Sequence, residues 1–276
     1  MKLIMTLLVR DGEDILALNL EHHLALGVDQ VLVTDNRSVD ATPDILAEYH
    51  RHGVVRVLQE RGDNFDQWRW VTRMARIAVD EGADWIIHSD ADEFWCPAEG
   101  MLPDALRTVP REYGIAVASR YNFPPTAYEA APFYERLVIR DTASRNAMGR
   151  PLPGKCCHRS SPDVRVAQGN HAVWARGLRR QPQLLPVDIL HFPMRTFRQF
   201  EQRIVIGGQA YTRNQELPLN IGDTWRRLYA MHQQGTLRAY WEMQILTPER
   251  LAEGLSSGRL CSDTRVRDAA RMLDDD

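Results

Sequence analysis

From Lys2 to about Pro97 the chain alternates between two hydrophobic rhythms. Leu3–Val9 is a short apolar run, and residues 11–26 have helical spacing, with Ile15, Leu16, Leu18, Leu20 and Leu24 apolar and Gly27 as the stop. Residues 30–34 predict a second strand, 42–52 a helix that meets Gly53, and 54–58 a third strand. Residues 65–81 predict a longer helix that meets Gly82, and 85–89 a fourth strand. Strands alternating with helices of this length predict an α/β chain with a mostly parallel sheet flanked by helices. Ligands of such sheets bind outside the carboxyl ends of the strands. The polar residues at those ends are Arg10, Asp11, Asp35, Asn36, Asp90 and Asp92.

Beyond Pro97 the pattern loosens. Residues 115–119 and 136–139 read as further strands, and 144–183, rich in Arg, Gly, Pro and Ser, as long loops. Helical spacing returns at 197–206, 225–234, 237–245, 248–253 and 263–273. The expectation is one α/β domain over residues 1–210 and a helical C-terminal extension over 211–276. That extension covers one side of the domain, with an acceptor lid or the surface of a homo-oligomer as its alternative use.

Composition narrows the classes. With 34 basic against 37 acidic residues, a net charge of −3 gives no electrostatic case for nucleic acid as the partner. The run at Leu3–Val9 is too short to span a membrane and lacks the basic start and cleavage site of a signal peptide. Cys96, Cys156, Cys157 and Cys261 include no CxxC pair, and the adjacent Cys156 and Cys157 suit neither a disulfide nor a zinc site. The expectation is a cytoplasmic protein with free thiols, with peripheral contact at the inner membrane face as a secondary placement.

Candidate chemistry begins at residues 83–94, "ADWIIHSDADEF", where a buried-looking strand ends in three carboxylates within four residues. If the extended geometry continues, Asp90 and Asp92 point to one face. Their charges then repel unless a proton or cation lies between them. Mg²⁺ or Mn²⁺ with oxygen ligands resolves the conflict and leaves positions for substrate phosphates; a solvated acidic turn is the plain alternative. A Walker B strand has a similar look, but the chain has no GxxxxGK[ST]. Haloacid-type phosphatases place Thr or Val where this chain has Phe94. Sugar nucleotidyltransferases carry a Gly-rich basic loop where it reads Val9-Arg10-Asp11-Gly12-Glu13.

A second cluster, "VTDNRSVDAT" at residues 33–42, joins a strand to a helix. Asp40 or Thr42 can cap that helix, and Pro43 suits its first turn. Capping does not account for Asp35 and Asn36. A carboxylate there can accept a hydrogen bond from a base N–H or a ribose hydroxyl.

Strand, "DNRSVDAT", helix, and "DADEF" about fifty residues later together resemble the nucleotide-sugar-binding half of family 2-like glycosyltransferases with the GT-A fold. "VRDGEDILALNLEHHLALGVDQVLVTDNRSVDAT" and "ADWIIHSDADEF" are most similar to the bacterial branch that also resembles family 92. The likeness is close over residues 2–97 and weak over about 145–210. It implies a role for Asp35 on the base and for the Asp90-Ala91-Asp92 motif on ribose and a metal-bound diphosphate. Glu93 matches an additional acid, and Arg10 and Asp11 match the loop lining the base pocket. Arg73 falls where relatives place a basic residue near the diphosphate. The segment Leu190-His191-Phe192-Pro193-Met194-Arg195-Thr196, followed by Arg203, resembles this branch's "HY-x-x-[KR]-S … K-x-x-x-G". That makes His191 a candidate third metal ligand, and Arg195 and Arg203 candidate diphosphate partners. His171 sits where some relatives carry a histidine, a further metal candidate.

The family's short acidic motif for a catalytic base is not recognisable. Asp163, Asp188 and Glu201 are available, and Asp188 joins Asp92 and Glu93 as a catalytic candidate. The resemblance implies a Mn²⁺- or Mg²⁺-dependent enzyme moving a sugar from UDP or GDP to the hydroxyl of a glycan, lipid-linked or small-molecule acceptor. A non-catalytic nucleotide- or cation-binding module and a nucleotidyltransferase are the alternatives. Phe94–Trp95 and Tyr121-Asn122-Phe123 are the aromatic candidates for an acceptor site.

Overall fold

The computed structural model describes residues 1–218 and 220–274. Strands β1 (Leu3–Val9), β2 (Gln30–Asp35), β3 (Val55–Gln59) and β4 (Trp85–Asp90) alternate with helices α1 (Leu16–Ala25), α2 (Thr42–Arg51) and α3 (Gln67–Asp80). β1 pairs parallel with both β2 and β4, and β2 pairs parallel with β3. Each helix stops at a glycine in the left-handed region, Gly27, Gly53 and Gly82, where a side chain would be strained. The cap expected at Asp40 or Thr42 is corrected: Ala41 stands at the start of α2 with no side-chain cap, Asp40 Oδ1 accepts from Thr42 N at 2.9 Å, and Thr42 Oγ1 accepts from Gly12 N at 2.9 Å, outside the helix.

The middle of the chain adds β5 (Glu93–Pro97), α4 (Leu102–Arg107), β6 (Ile115–Asn122), α5 (Phe133–Arg136), β7 (Ile139–Asp141), β8 (Lys155–Arg159), β9 (Arg165–Val166), β10 (Val173–Trp174) and β11 (Val187–His191). The main sheet has eight strands in the order β3-β2-β1-β4-β8-β6-β11-β5. β8 runs antiparallel to both β4 and β6. The expectation of an α/β chain with a sheet flanked by helices is met. The reading of residues 144–183 as loops is corrected, because β8 lies between β4 and β6. The strand expected at 136–139 is replaced by the last residue of α5 and the start of β7.

Both faces of the parallel strands are buried, which is why they read as unbroken apolar runs. Leu3, Met5, Leu7 and Val9 pack with Leu16, Leu20, Leu46, Leu102 and Leu106 from α1, α2 and α4. Ile4, Leu32 and Ile86 pack with Val71, Met74, Ala75 and Ala78 of α3.

The last part of the chain carries α6 (Phe197–Arg213), α7 (Asp223–Gln233), α8 (Leu237–Gln244), α9 (Pro248–Ser256), β12 (Leu260–Ser262) and α10 (Arg265–Asp274). α6 runs past the end expected at residue 206. Gly207 and Gly208 do not stop it; any Cβ there would collide with Trp225 and Tyr229 of α7, so the glycines let α7 approach. Phe200, Ile204, Leu228, Leu237 and Trp241 form this region's own core. The chain divides into two compact units. One is Met1–Gly62, Asp66–Arg120 and Pro153–Ile189; the other is Asp63–Phe65, Tyr121–Leu152 and the residues from Leu190 on. Among the described residues no helix is long and apolar enough to cross a membrane.

Candidate functional site

In the first unit the carboxyl ends of β1, β2 and β4 lie side by side, with Val9 opposite Asp35 and Leu8 opposite Asp90. Sheet register thus brings together three places that lie far apart in sequence. The loops after β1 and β2 are laced to each other. Ser38 N donates to Asp35 Oδ1 at 3.1 Å, Asp11 N to Ser38 Oγ at 2.9 Å, and Val39 N to Asp11 Oδ1 at 2.8 Å. Asp11 holds a positive φ of 50°, an unusual conformation for a non-glycine residue. Arg10 Nε lies 3.9 Å from Asp11 Oδ2. Asn36 uses its amide within the fold: Nδ2 donates to Glu60 O at 3.2 Å and Gly62 O at 2.7 Å, tying the loop after β3 to the end of β2.

The acidic cluster departs from the sequence expectation. β4 ends at Asp90, Ala91 and Asp92 form a turn, and Glu93 opens β5. The every-second-residue rule therefore does not apply across Asp90 and Asp92. Asn19 of α1 secures the turn from below, donating Nδ2 to Glu93 O at 2.8 Å and Ala91 O at 3.1 Å. Both Asp92 and Glu93 are buried, Glu93 completely.

The cation that answers these acids within the chain is Lys155, at the start of β8. Its side chain is fully buried, with Nζ 2.5 Å from Asp90 Oδ2 and 3.0 Å from Glu93 Oε2. Arg120, near the end of β6, donates Nη1 to Glu93 Oε1 at 2.8 Å. The other oxygen of Asp90 accepts from Gln67 Nε2 at 3.0 Å and Asn170 Nδ2 at 3.4 Å. Burial pushes the Asp90 carboxyl up, and Asp92 adds to that. The charge and hydrogen bond of Lys155, with Arg120, outweigh both and hold it below the usual carboxylate range.

Sequence reading missed Lys155, Arg120, Gln67 and Asn170. Lys155 lay in a stretch read as loop. Its one local sign is a lysine entering the run "KCCHR", whose apolar pair suits a buried strand.

His171 follows the 3₁₀ turn Gln168–Asn170. Its Nδ1 lies 2.9 Å from Gly154 O, and burial, then the charges of Lys155 and Arg120, push its pKa down to about 3, so the ring is neutral at pH 7. Arg73 is not brought to the cluster. It pairs with Glu60 at 3.2 Å and lines an open groove of about 530 Å³ with Trp68, Arg69, Arg76 and Arg165. Six residues along a helix turn the side chain well away from Gln67, which is the residue of α3 that reaches Asp90. Asp188 is half-buried on β11.

In the second unit His191 Nδ1 lies 2.7 Å from Asn122 Oδ1, and the His191 carbonyl accepts from Phe123 N at 3.0 Å. Arg195 is buried over the Phe133 ring at 5.9 Å and donates Nη1 to Phe192 O at 2.9 Å. Arg203 lies over the Trp225 ring at 5.2 Å. Phe94, Trp95 and Phe123 are core residues, which corrects their assignment to an acceptor surface.

The residues do not fit a resident Mn²⁺ or Mg²⁺. Each oxygen of Asp90 already has a donor from the chain, and one donor is an ammonium. Among the described residues no group of three or more His, Cys, Asp or Glu side chains could hold a metal ion.

A family model described as glycosyltransferase family 92 matches residues 8–218, about three quarters of the chain. No curated protein sequence matches it. Among solved structures, TarS 1–349 of S. aureus in complex with UDP-GlcNAc is 10% identical with a TM-score of 0.44, covering 94% of this chain and 92% of that one. Against a longer S. aureus TarS chain, 11% identical with a TM-score of 0.42, the coverage is 83% of this chain and 43% of that one. Glucosyl-3-phosphoglycerate synthase from Mycobacterium tuberculosis, in complex with Mg²⁺ and UDP, is 14% identical with a TM-score of 0.29, covering 44% and 43%. These TM-scores are low, and none of these likenesses bears on what this chain binds.

Proposed function

We propose a reaction for the chain from the premise that it belongs to glycosyltransferase family 92, whose model spans residues 8–218. The enzyme moves a sugar from a nucleoside diphosphate sugar, UDP- or GDP-linked, to an acceptor hydroxyl. The observation that carries this reading is the shared edge of β1, β2 and β4, where Asp35 and Asp90 end β2 and β4, Asp11 lies in the loop just after β1, and Asp92 follows Asp90 in the next turn.

Asp35 and the laced loops after β1 and β2 receive the nucleoside, by accepting from a base N–H or a ribose hydroxyl. Asp92, carried by a turn that Asn19 fixes, is the acid of the motif that meets the ribose–diphosphate end. Arg10, about a quarter exposed beside Asp11, offers that edge a guanidinium for the negative charge that grows on the departing diphosphate. Glu93 serves as an internal counter-ion of Lys155 and Arg120, because a fully buried, doubly paired carboxylate does not reach an acceptor hydroxyl. No step is assigned to Mn²⁺ or Mg²⁺.

The test is release of UDP or GDP from a panel of nucleotide sugars, with Asp92→Asn beside the wild-type chain. The variant is expected to lose at least ~100-fold in kcat/KM, the scale of a positioned catalytic contact. Undiminished turnover in a folded Asp92→Asn would remove the turn from the active site.

A further inference from the structure

We infer that Lys155 is the resident cation of the acidic motif: its ammonium, between Asp90 and Glu93, supplies the charge compensation expected of a divalent ion between Asp90 and Asp92. The inference concerns the same site as the proposed glycosyl transfer and takes that site from it, but its test needs no sugar donor.

A lysine side chain is rarely buried completely, because desolvation disfavours its charge unless acids compensate it. Here the compensation is double and close, at 2.5 Å to Asp90 Oδ2 and 3.0 Å to Glu93 Oε2. Pairing of β8 with β4 sets Lys155 at the carboxyl end of β4, since Ile87 lies opposite Cys157 and Ile86 opposite His158. The ammonium is thus carried to the acids by the sheet itself, not by a mobile loop.

Charge counting gives the consequence. Asp90 and Glu93 carry two formal negative charges, and Lys155 and Arg120 return two, so this pair of acids is balanced within the chain. A balanced acid pair is a poor site for a divalent ion, which prefers several oxygen ligands of its own. Without Lys155 one of these charges would be uncompensated, and one oxygen of Asp90 and one of Glu93 would lose their cation.

Lys155 acts through Asp90 and is a positioning residue. Its ammonium pairs with one oxygen of Asp90 and, with Gln67 and Asn170 on the other oxygen, fixes the orientation of the carboxylate. An altered Lys155 should therefore change the motif's appetite for cations in a direction that plain loss of structure cannot produce.

The experiment is titration of the full chain with Mn²⁺ alone, without nucleotide, following free Mn²⁺ by electron paramagnetic resonance. Wild type is expected to show no saturable binding below about 1 mM Mn²⁺, as for an acid pair already neutralised by an ammonium. Lys155→Met, checked for native circular dichroism, is expected to bind Mn²⁺ at least ~tenfold more tightly, because an uncompensated acid pair attracts a cation. Lys155→Arg keeps the charge and should stay within about threefold of wild type. Micromolar Mn²⁺ binding by the wild-type chain would overturn the inference, whether or not Lys155→Met folds. So would a folded Lys155→Met that binds no more tightly than wild type. Sugar transfer is read separately with Asp92→Asn, so failure of either idea leaves the other standing.

Discussion

Asn19 offers the sharpest test of how the acidic turn is held. Its side chain is fully buried, and one amide nitrogen bridges two carbonyls, Glu93 O at 2.8 Å and Ala91 O at 3.1 Å. Removing it with Asn19→Ala has unequal effects on the two. Glu93 O keeps a donor, Ser89 Oγ at 3.1 Å, whereas Ala91 O loses the donor that Asn19 gives it. A buried carbonyl left unpaired costs about 1–3 kcal/mol, and the second lost bond about 1 kcal/mol. Against this, the Asn19 Oδ1 atom has no hydrogen-bond partner, and deleting it recovers roughly 1 kcal/mol. The net expectation is about 2 kcal/mol, or a fall in Tm of roughly 4 °C or more for a chain of this size. Asn19→Asp keeps the volume but turns oxygen towards both carbonyls and buries a charge, so it must be worse than Asn19→Ala by at least about 2 kcal/mol. Thermal unfolding of the three proteins gives the ranking. Donor titration adds a second readout: the turn carries Asp92, so Asn19→Ala should raise the donor KM more than it lowers kcat. An Asn19→Ala protein with unchanged Tm and KM, or an Asp variant as stable as the Ala variant, would refute the reasoning.

Two further expectations follow from the buried polar groups and the glycine before β8. His88 and His158 stack with ring centroids 5.1 Å apart; burial pushes His158 down to about 4, and burial, then His158 and Lys155, pushes His88 well below its ordinary value. Between pH 6.5 and 4 the unfolded chain takes up protons that the native chain refuses. Stability is therefore full above pH 6.5 and falls on acidification, by about 3 kcal/mol at pH 4 for His158 alone; urea midpoints at pH 7, 5.5 and 4 check this, and a flat profile contradicts it. Gly154→Ala sets a Cβ against the Ala118 carbonyl oxygen and 2.7 Å from Val117 Cγ1. It should cost at least about 2 kcal/mol by calorimetry, because a backbone carbonyl in a paired strand has little room to yield.

The first four strands and three helices were legible because each obeys one period and each helix ends at a glycine that needs a positive φ. The glycine signal misled once: Gly207 and Gly208 stand inside α6, serving the approach of Trp225 and Tyr229, and spacing alone does not separate a stop from a close contact. β8 was illegible for a different reason. Its sequence, Lys155-Cys156-Cys157-His158-Arg159, is charged or titratable at every position, yet its first four residues are buried. The charge of Lys155 is answered by Asp90 and Glu93, and the ring of His158 stacks on His88, all more than sixty residues away, and no local pattern encodes such partners. The acids closing β4 were visible for the mirror-image reason, since their cation was hidden in that same segment. Asp35 and Asp90 could be placed at one edge from the parallel topology, but the turn at Ala91–Asp92 breaks the period on which pairing Asp90 with Asp92 rested.

The place of β8 also sets a timetable for biosynthesis. Ile87 finds its partner Cys157 only after about seventy more residues have been made. Until then a nascent chain holds β4 as an open sheet edge, the kind of surface that recruits foreign strands. That edge ends in Asp90, Asp92 and Glu93, still without their ammonium, and like charges discourage two such ends from meeting. The acidic motif would then guard the growing polypeptide against its own copies on the polysome before it ever meets a sugar.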